Sequence, residues 1–186
     1  MISDSTAVIL CGGLSSRMGT PKHELFLDRI ISQLQGFGKI ALSVRDEAQV
    51  TGKNIPTWPD CVKNCGPLGG ILTALKRADT PYVFVTPCDV PDITGEFVAE
   101  LFAELRPEDV CAVPVVDGKI QPLTGIYHVS CADEIERSIN SRNYSVKKFL
   151  ESLNVHYVNF GRVKQNIFRN INTKEDYRDW QNKTNV

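Results

Sequence analysis

The sequence predicts an α/β fold in which helices cover both faces of a mainly parallel sheet. Two observations support this expectation for the chain of 186 residues. Short apolar runs alternate with amphipathic segments, a pattern typical of β-α-β units. The first apolar run, Ala7–Leu10, ends in a glycine-rich loop, and nucleotides bind such sheets at the carboxyl ends of the strands. The expected fold is therefore Rossmann-like. The length fits one domain over residues 1–186, because domains commonly hold about 100–200 residues.

Six apolar runs are predicted to form strands and six amphipathic segments to form helices. The predicted strands are Ala7–Leu10, Ile40–Val44, Tyr82–Val85, Val110–Val116, Leu123–Tyr127 and Val155–Phe160. The predicted helices are His23–Gln35, Leu68–Ala78, Gly95–Leu105, Ala132–Ser138, Val146–Leu153 and Lys174–Gln181. In the first helix, apolar residues recur close to every 3.6 positions. Before the last helix, Thr173 is followed three residues later by Asp176, which resembles a capping arrangement.

The charge and hydropathy of the sequence argue against binding to nucleic acid or to a membrane. The formal net charge is −1 at pH 7, which gives no electrostatic case for a nucleic-acid partner. The sequence does not open with a basic segment followed by an apolar core, and its apolar runs are far shorter than the roughly 20 residues that span a membrane. We therefore expect a cytoplasmic protein that contacts neither nucleic acid nor membrane.

Six cysteines are present, and reduced thiols are expected in a domain of this size without a secretion signal. Cys61 and Cys65 form the one close pair. Their spacing suits a metal, but no second cysteine or histidine pair follows at the distance found in zinc fingers. We therefore expect no structural zinc.

The glycine-rich loop runs Leu10-Cys11-Gly12-Gly13-Leu14-Ser15-Ser16-Arg17-Met18-Gly19-Thr20-Pro21-Lys22. Its glycines permit close backbone approach, so that several N–H groups can turn toward one anion. Arg17 and Lys22 add two positive charges, and the loop therefore suits a triphosphate. The spacing matches neither Gly-x-Gly-x-x-Gly nor Gly-x-x-x-x-Gly-Lys-Ser/Thr, which argues against a dinucleotide oxidoreductase or an ordinary ATPase. The alternative is a glycine-rich turn with two solvated basic residues.

A second polar position follows the predicted strand Tyr82–Val85. Asp89 lies between Pro87 and Pro91, which stiffen its backbone, at the sheet edge that also holds the glycine loop. Mg²⁺ takes oxygen ligands and commonly uses one or two carboxylates plus substrate phosphates. Asp89 fits that role, with Asp92 as a weaker second ligand. The alternative is that Asp89 turns the chain or caps the next helix.

Together these segments resemble one enzyme family. The pattern Leu-x-Gly-Gly-x-Ser-x-Arg-Met-Gly-x-x-Lys is similar to the signature loop of the molybdenum cofactor guanylyltransferases. Three later segments, Gly66–Ile71, Pro87–Pro91 and Asn170–Thr173, occur in the order found in that family. The resemblance implies a magnesium-dependent nucleotidyltransferase that moves GMP from GTP to the phosphate of molybdopterin, or of its molybdenum-loaded form, and releases pyrophosphate. It also implies transient contact with cofactor-synthesis or acceptor proteins.

The resemblance assigns roles to individual residues. It implies nucleotide binding by Leu10, Cys11, Gly12, Gly13, Lys22, Asp60, Gly69 and Asp89, and catalysis by Arg17, Lys22 and Asp89. The resemblance implies that the Leu10–Gly13 backbone selects guanine, whereas cytidylyl relatives more often carry Leu-Ala-Ala-Gly. Cys11 is interpreted as a small filler whose backbone matters more than its thiol. Asp89 is also the implied metal ligand, and Asn170 and Asn172, with Gln121–Tyr127, lie on the side of the second substrate.

The residues by themselves leave other interpretations open. Asp60 is equally a turn residue, and the paired glycines of Gly66–Gly70 are equally a tight turn. Asn170 and Asn172 equally close turns or start a helix. The chain also departs from the family after Lys22, where His23–Leu27 runs directly into the first helix and the usual extra strand-like segment is absent.

Three alternatives to the implied activity remain at this stage. Two are nucleotidyltransferases with another base or acceptor, namely a molybdopterin cytidylyltransferase or a sugar-phosphate nucleotidyltransferase. The third is an inactive nucleotide-binding partner in cofactor delivery, an interpretation supported by the shortened segment after Lys22.

Overall fold

The computed structural model describes residues 2–12, 22–46, 54–161 and 165–184, with the backbone alone at 22–24, 165 and 184. These ranges contain eight strands and six α-helices. The strands are β1 (Thr6–Leu10), β2 (Lys39–Val44), β3 (Thr57–Pro59), β4 (Tyr82–Pro87), β5 (Cys111–Val116), β6 (Lys119–Ile120), β7 (Gly125–His128) and β8 (His156–Gly161). The helices are α1 (Lys22–Gln33), α2 (Pro67–Arg77), α3 (Gly95–Ala103), α4 (Cys131–Asn140), α5 (Val146–Glu151) and α6 (Lys174–Thr184).

All eight strands belong to one sheet. Seven follow the order β3-β2-β1-β4-β7-β5-β6, and β8 pairs with β5. Strands β3, β2, β1 and β4 are parallel to one another, as are β5 and β8, whereas β7 is antiparallel to both β4 and β5. Strands β4 and β5 therefore run in the same direction, and their carboxyl ends lie at the edge that also holds the ends of β1, β2 and β3. The predicted mainly parallel α/β fold is confirmed.

Helices cover both faces of the sheet because its central strands are apolar on both sides. On one face, Ala7 and Ile9 of β1 pack in a buried cluster with side chains of α1 and α3, and aromatic residues of α6 lie against it. On the other face, Val8 of β1 packs with side chains of α2, α4 and α5. This two-sided burial explains why β1 is a continuous apolar run rather than an alternating one.

The sequence missed two strands. Strand β3 has only three residues and ends in Pro59, and a proline is tolerated there because β3 lies at the edge of the sheet. Strand β6 has two residues and pairs with β5 across a short hairpin. The predicted strand Leu123–Tyr127 is shifted to Gly125–His128, and β4 extends two residues past Val85 to Pro87. Segments this short contain too little periodicity to be recognised.

Helix starts follow the predicted capping chemistry. Asp176 N–H donates to Thr173 Oγ1 at 3.1 Å, and Thr173 N–H donates to Asp176 Oδ2 at 2.9 Å, so the two residues cap the start of α6 reciprocally. At α3 the cap is Thr94, whose Oγ1 accepts from Phe97 N–H at 3.1 Å. Asp89 is therefore not the cap of α3.

All six cysteines are free thiols. Within the part of the chain that the structure describes, no helix combines the length and apolarity needed to cross a membrane.

Candidate active site

A cavity of about 490 Å³ opens at the carboxyl ends of β1, β2, β3 and β4 and reaches the start of α2. Its walls include Leu10, Gly12, Arg45, Asp60, Gly70 and Asp89. This is the edge at which nucleotides bind parallel α/β sheets. The cavity therefore brings together the start of the glycine loop, Asp60 and Asp89, which are far apart in the sequence.

Backbone hydrogen bonds continue between the strands beyond their last paired residues. Cys11 N–H donates to Ser43 O at 2.7 Å, and Cys88 N–H donates to Leu10 O at 3.1 Å. These bonds fix the directions in which the glycine loop and Asp89 leave the sheet. The position of Asp89 is thus set by the register between β1 and β4.

Asp60 is half-buried in the cavity wall and is held from two sides. Ser43 Oγ donates to Asp60 Oδ1 at 2.9 Å, and Asp60 N–H donates to Val44 O at 2.8 Å. Burial raises the pKa of the Asp60 carboxyl, while the Ser43 hydroxyl and the positive charge of Arg45 oppose that rise. A Cβ added at Gly12 would lie 3.7 Å from Asp60 Oδ2, so the carboxylate lies directly against the first glycine of the loop.

The start of α2 forms another wall. Gly66 precedes the helix with φ 59° and ψ −150°, a backbone conformation that is almost restricted to glycine. Pro67 follows as the first helical residue, where its missing N–H leaves no intrahelical bond unmade. Both residues line the cavity. The turn therefore places the first residues of α2 in the cavity wall.

The structure places Gly70, rather than Gly69, on the cavity wall. A Cβ at Gly70 would lie 3.1 Å from Ser43 Oγ and 3.2 Å from Leu10 Cδ2. A Cβ at Gly69 would instead lie 2.9 Å from Val62 O, because this face of α2 packs under the preceding turn. Successive helical residues point about 100° apart, so the two glycines serve different contacts.

Asp89 lines the cavity and is tied through its backbone to the segment before α6. Ile171 N–H donates to Asp89 O at 3.1 Å. Asn170 and Asn172 flank Ile171 and therefore lie beside the Asp89 turn, Asn170 exposed and Asn172 half-buried. Asn172 N–H donates to Asp176 Oδ2 at 3.0 Å, which joins this segment to the cap of α6.

One carboxylate at this position fits a magnesium site of the kind that borrows ligands from its substrate. Within the described ranges, no group of three histidine, cysteine, aspartate or glutamate side chains could hold a metal ion. Mg²⁺ commonly retains waters and takes one or two carboxylates together with substrate phosphates. Asp89 supplies a hard oxygen donor to the cavity and fits that mode.

Asp92 has structural partners. Trp180 Nε1–H donates to both of its carboxylate oxygens at 3.0 Å, and Arg29 Nη2 donates to Oδ1 at 3.2 Å. Arg29 belongs to α1 and Trp180 to α6. Asp92 thus joins these two helices.

Cys11 and Cys88 lie side by side, both are buried, and Cys88 lines the cavity. A hydrogen bond with Cys88, together with burial, raises the pKa of the Cys11 thiol well above its ordinary value. A protonated, buried thiol is a small apolar side chain. The buried thiol therefore fits the interpretation of Cys11 as a small filler, and its backbone N–H is used in the hydrogen bond to Ser43 O.

Three predicted site residues lie wholly or partly outside the described part of the chain. Gly13 and Arg17 lie outside the described residues altogether. Lys22 is the first residue of α1, and only its backbone is described.

Comparison with known proteins decides the family. Residues 7–157 match the family described as MobA-like NTP transferase domain. The chain belongs to this family. It is accordingly a nucleotidyltransferase, and the resemblance stated from the sequence motifs is confirmed.

Individual members agree over nearly their whole length. A probable molybdenum cofactor guanylyltransferase of Carboxydothermus hydrogenoformans is 32% identical over 183 residues, covering 92% of each chain. One from Bacillus cytotoxicus is 28% identical over 185 residues, covering 91% of this chain and 92% of the relative. The crystal structure of molybdopterin-guanine dinucleotide biosynthesis protein A from Archaeoglobus fulgidus has a TM-score of 0.82 at 25% identity, covering 97% of this chain and 100% of that one.

A second cavity of about 420 Å³ lies beside the first in this MobA-like domain. It lies at the carboxyl end of β5 and is lined by Lys119, Gln121, Asn166, Phe168 and Arg169, among others. Gln121 lines this cavity and Leu123 lines the first, so a short turn separates the two. Only the start of the predicted second-substrate segment Gln121–Tyr127 therefore borders the cavities, because the chain enters the buried strand β7 at Gly125.

Sequence reasoning missed Ser43 and Arg45. Arg45 directly follows β2, as Asp89 closely follows β4, and a charged residue at the end of a buried strand is the signal that was available. Ser43 gave no signal, because its role depends on the register that brings Asp60 beside β2.

Proposed function

We propose that this nucleotidyltransferase moves GMP from GTP to the phosphate of molybdopterin, or of its molybdenum-loaded form, with Mg²⁺, and releases pyrophosphate. The observation that supports this most is the meeting of Gly12, Asp60 and Asp89 in one cavity at the carboxyl edge of the sheet. The names of the relatives that match over nine-tenths of the chain point to the same reaction.

In this proposal the two cavities hold the two substrates. GTP occupies the first, with its base near Asp60 and its phosphates toward Asp89 and the glycine loop. The pterin occupies the second, where Lys119 and Arg169 complement its phosphate and the Phe168 ring offers a flat apolar surface. The short turn between Gln121 and Leu123 would let the two reacting groups meet.

The reaction needs no covalent enzyme intermediate. An oxygen of the pterin phosphate attacks the α-phosphorus of GTP, a new P–O bond forms, and the bond to the β-phosphate oxygen breaks. The protein contributes alignment of the two substrates and stabilisation of the developing charge. Asp89 would hold the Mg²⁺ ion, which would supply positive charge to offset the charge of the phosphates. Arg17 and Lys22, by resemblance, offset charge on the departing pyrophosphate.

A product assay tests the proposal. The purified chain is incubated with molybdopterin, Mg²⁺ and either GTP or CTP, and the dinucleotide and pyrophosphate are quantified by mass spectrometry and a coupled assay. We expect both products with GTP. Products with CTP alone would identify a cytidylyltransferase. GTP binding without either product would identify an inactive binding partner.

A further inference from the structure

We infer that Arg45 is a specificity-determining residue, which together with Asp60 reads the guanine edge of the nucleotide. The inference rests on the proposed function, because it assumes that a nucleotide base occupies this end of the first cavity. The Arg45 guanidinium donates to guanine O6, and the Asp60 carboxylate accepts from N1–H and from the N2 amino group.

The two side chains are brought together by strand register. In the parallel pair β2·β3, Val44 lies opposite Pro59, and Arg45 and Asp60 are the next residues of the two strands. The bond from Asp60 N–H to Val44 O at 2.8 Å continues the ladder to this point. Both side chains line the first cavity.

The glycine loop reaches the same point. A Cβ added at Gly12 would lie 3.7 Å from Arg45 N, 3.7 Å from Asp60 Oδ2 and 3.9 Å from Arg45 Cβ. The resemblance gives base selection to the Leu10–Gly13 backbone. Gly12 therefore lies next to both Arg45 and Asp60. In this inference the loop backbone and the two side chains contact the same part of the ligand, the base.

The chemistry of this pair matches guanine and opposes adenine and cytosine. An arginine donates hydrogen bonds and accepts none, whereas an ionised carboxylate accepts and donates none. Guanine presents the acceptor O6 next to the donors N1–H and N2–H₂. Adenine presents its N6 amino group, a donor, to the Arg45 guanidinium, and its N1, an acceptor, to the Asp60 carboxylate. Neither contact is a hydrogen bond, because donor faces donor and acceptor faces acceptor. Cytosine also presents an acceptor ring nitrogen to the carboxylate.

Ser43 holds the Asp60 carboxylate in one orientation. The Ser43 hydroxyl donates to Asp60 Oδ1 at 2.9 Å, while Oδ2 is the oxygen that lies near Gly12. The carboxylate is thereby oriented before any ligand binds, which lowers the cost of ordering it. An arginine in a nucleotide cavity can also bind phosphate, and the two roles predict different results.

Binding measurements on base analogues test the inference. Dissociation constants of GTP, ITP, XTP and ATP are measured by calorimetry for the wild type, Arg45→Gln and Asp60→Asn. Matched controls are Arg77→Gln at the end of α2 and Asp133→Asn in α4, both exposed and distant in the fold from the cavity. Melting curves confirm that each variant folds.

Each variant has its own expected signature. Arg45→Gln weakens GTP by about 10–100-fold, the usual effect of losing a hydrogen bond to a charged group, and does not weaken ATP, because the donor-against-donor contact with the adenine amino group is removed. In the wild type, ITP binds less well than GTP because it lacks the N2 amino group. Asp60→Asn binds XTP better than GTP, because the new amide donates to xanthine O2 while its carbonyl still accepts from N1–H. Both controls keep the wild-type preference.

Two results would overturn the inference. An equal loss of GTP and ATP affinity in Arg45→Gln would show that Arg45 binds phosphate. An Asp60→Asn variant that still prefers GTP over XTP would show that Asp60 does not face the base. In either case a wild type that prefers GTP and forms the dinucleotide leaves the proposed function standing. Selective GTP binding without product formation would contradict the proposed function but not the inference that Arg45 and Asp60 select guanine.

Discussion

Asp60 and Asp109 lie at opposite edges of the same sheet, and the fold shifts their pKa values in opposite directions. Asp60, at the carboxyl edge, borders a cavity, and burial raises its pKa. Asp109 is buried at the amino edge, where its Oδ2 accepts from Arg106 N–H at 2.9 Å and lies 2.7 Å from His156 Nδ1. Burial acts to raise the pKa of Asp109, but these hydrogen bonds outweigh it and the pKa is lowered.

The comparison separates residues that stabilise the fold from residues that await a ligand. A carboxylate whose hydrogen bonds are made within the protein contributes to the free energy of unfolding. A carboxylate that is desolvated and incompletely compensated has an acceptor to offer, and such groups concentrate at functional sites. We therefore expect substitutions at the carboxyl edge to change activity and substitutions at the amino edge to change stability.

The largest expected effect is at the carboxyl edge. Asp89→Asn keeps the shape of the side chain and removes the charge that holds Mg²⁺. We expect kcat to fall on the order of 10²–10³-fold with an unchanged melting temperature, as for loss of one preorganised electrostatic contact. Steady-state kinetics at limiting Mg²⁺ and a melting curve are measured together.

Asp92→Asn is the control from the same loop. It weakens the contacts to Trp180 and Arg29, so the melting temperature falls while turnover per folded molecule stays the same. Wild-type turnover of Asp89→Asn at limiting Mg²⁺ would instead mean that Asp89 is a turn residue and that the ion is held elsewhere.

The next effect is at the amino edge. Asp109→Asn removes a buried charge that accepts two hydrogen bonds, and we expect the free energy of unfolding to fall by about 1–3 kcal/mol. Denaturant titration at neutral pH measures the loss, and kcat is expected to be unchanged. Since the pKa of Asp109 is lowered by folding, its contribution is complete above the ordinary aspartate value of about 3.9 and disappears as pH falls through the lowered value. A difference between wild type and variant that grew on acidification would contradict this.

The sequence predicted the parts of this comparison that depend on local signals. Asp89 follows a buried strand between two prolines, and the glycine loop follows another, so both could be placed at the carboxyl edge without coordinates. The contacts of Arg45 and Ser43 could not be predicted, because they depend on β3, a three-residue strand whose register against β2 leaves no pattern. The choice between Gly69 and Gly70 depends on the rotation of α2 about its axis, which side-chain periodicity fixes only to within about one residue.

Gly69 and Gly70 of α2 show the same contrast between a residue that affects stability and one that affects ligand binding. Gly69→Ala brings a Cβ to 2.9 Å from the Val62 carbonyl oxygen, so backbone must move. Overpacking of this kind costs about 1–3 kcal/mol, offset in part by the better helix propensity of alanine, about 1 kcal/mol. We expect a lower melting temperature and unchanged GTP affinity.

Gly70→Ala has the opposite expected pattern. Its Cβ lies 3.1 Å from Ser43 Oγ, the group that orients Asp60, so we expect GTP affinity to fall by about tenfold, the loss of one modest hydrogen bond, with a smaller change in melting temperature. Calorimetry and melting curves on both variants separate the two patterns. If Gly69→Ala were the variant that lost GTP affinity, the assignment of the two glycine faces would be reversed.

The smallest effect is a pH dependence of base selection. The folded pKa of Asp60 is raised above its ordinary value, so acidification protonates Asp60 more readily in the folded chain than in the unfolded one. Its contribution to stability therefore rises as pH falls, opposite to that of Asp109, while its capacity to accept from guanine is lost. The ratio of GTP to ATP affinity should fall by at most tenfold per pH unit below the Asp60 pKa, because one proton is involved. The ratio cancels the titration of the triphosphate, which both ligands share. Carbon-13 NMR of the Asp60 carboxyl gives its pKa independently, and the midpoint of the affinity ratio should coincide with it. A constant ratio through that pKa would mean that the ionised carboxylate takes no part in selecting the base.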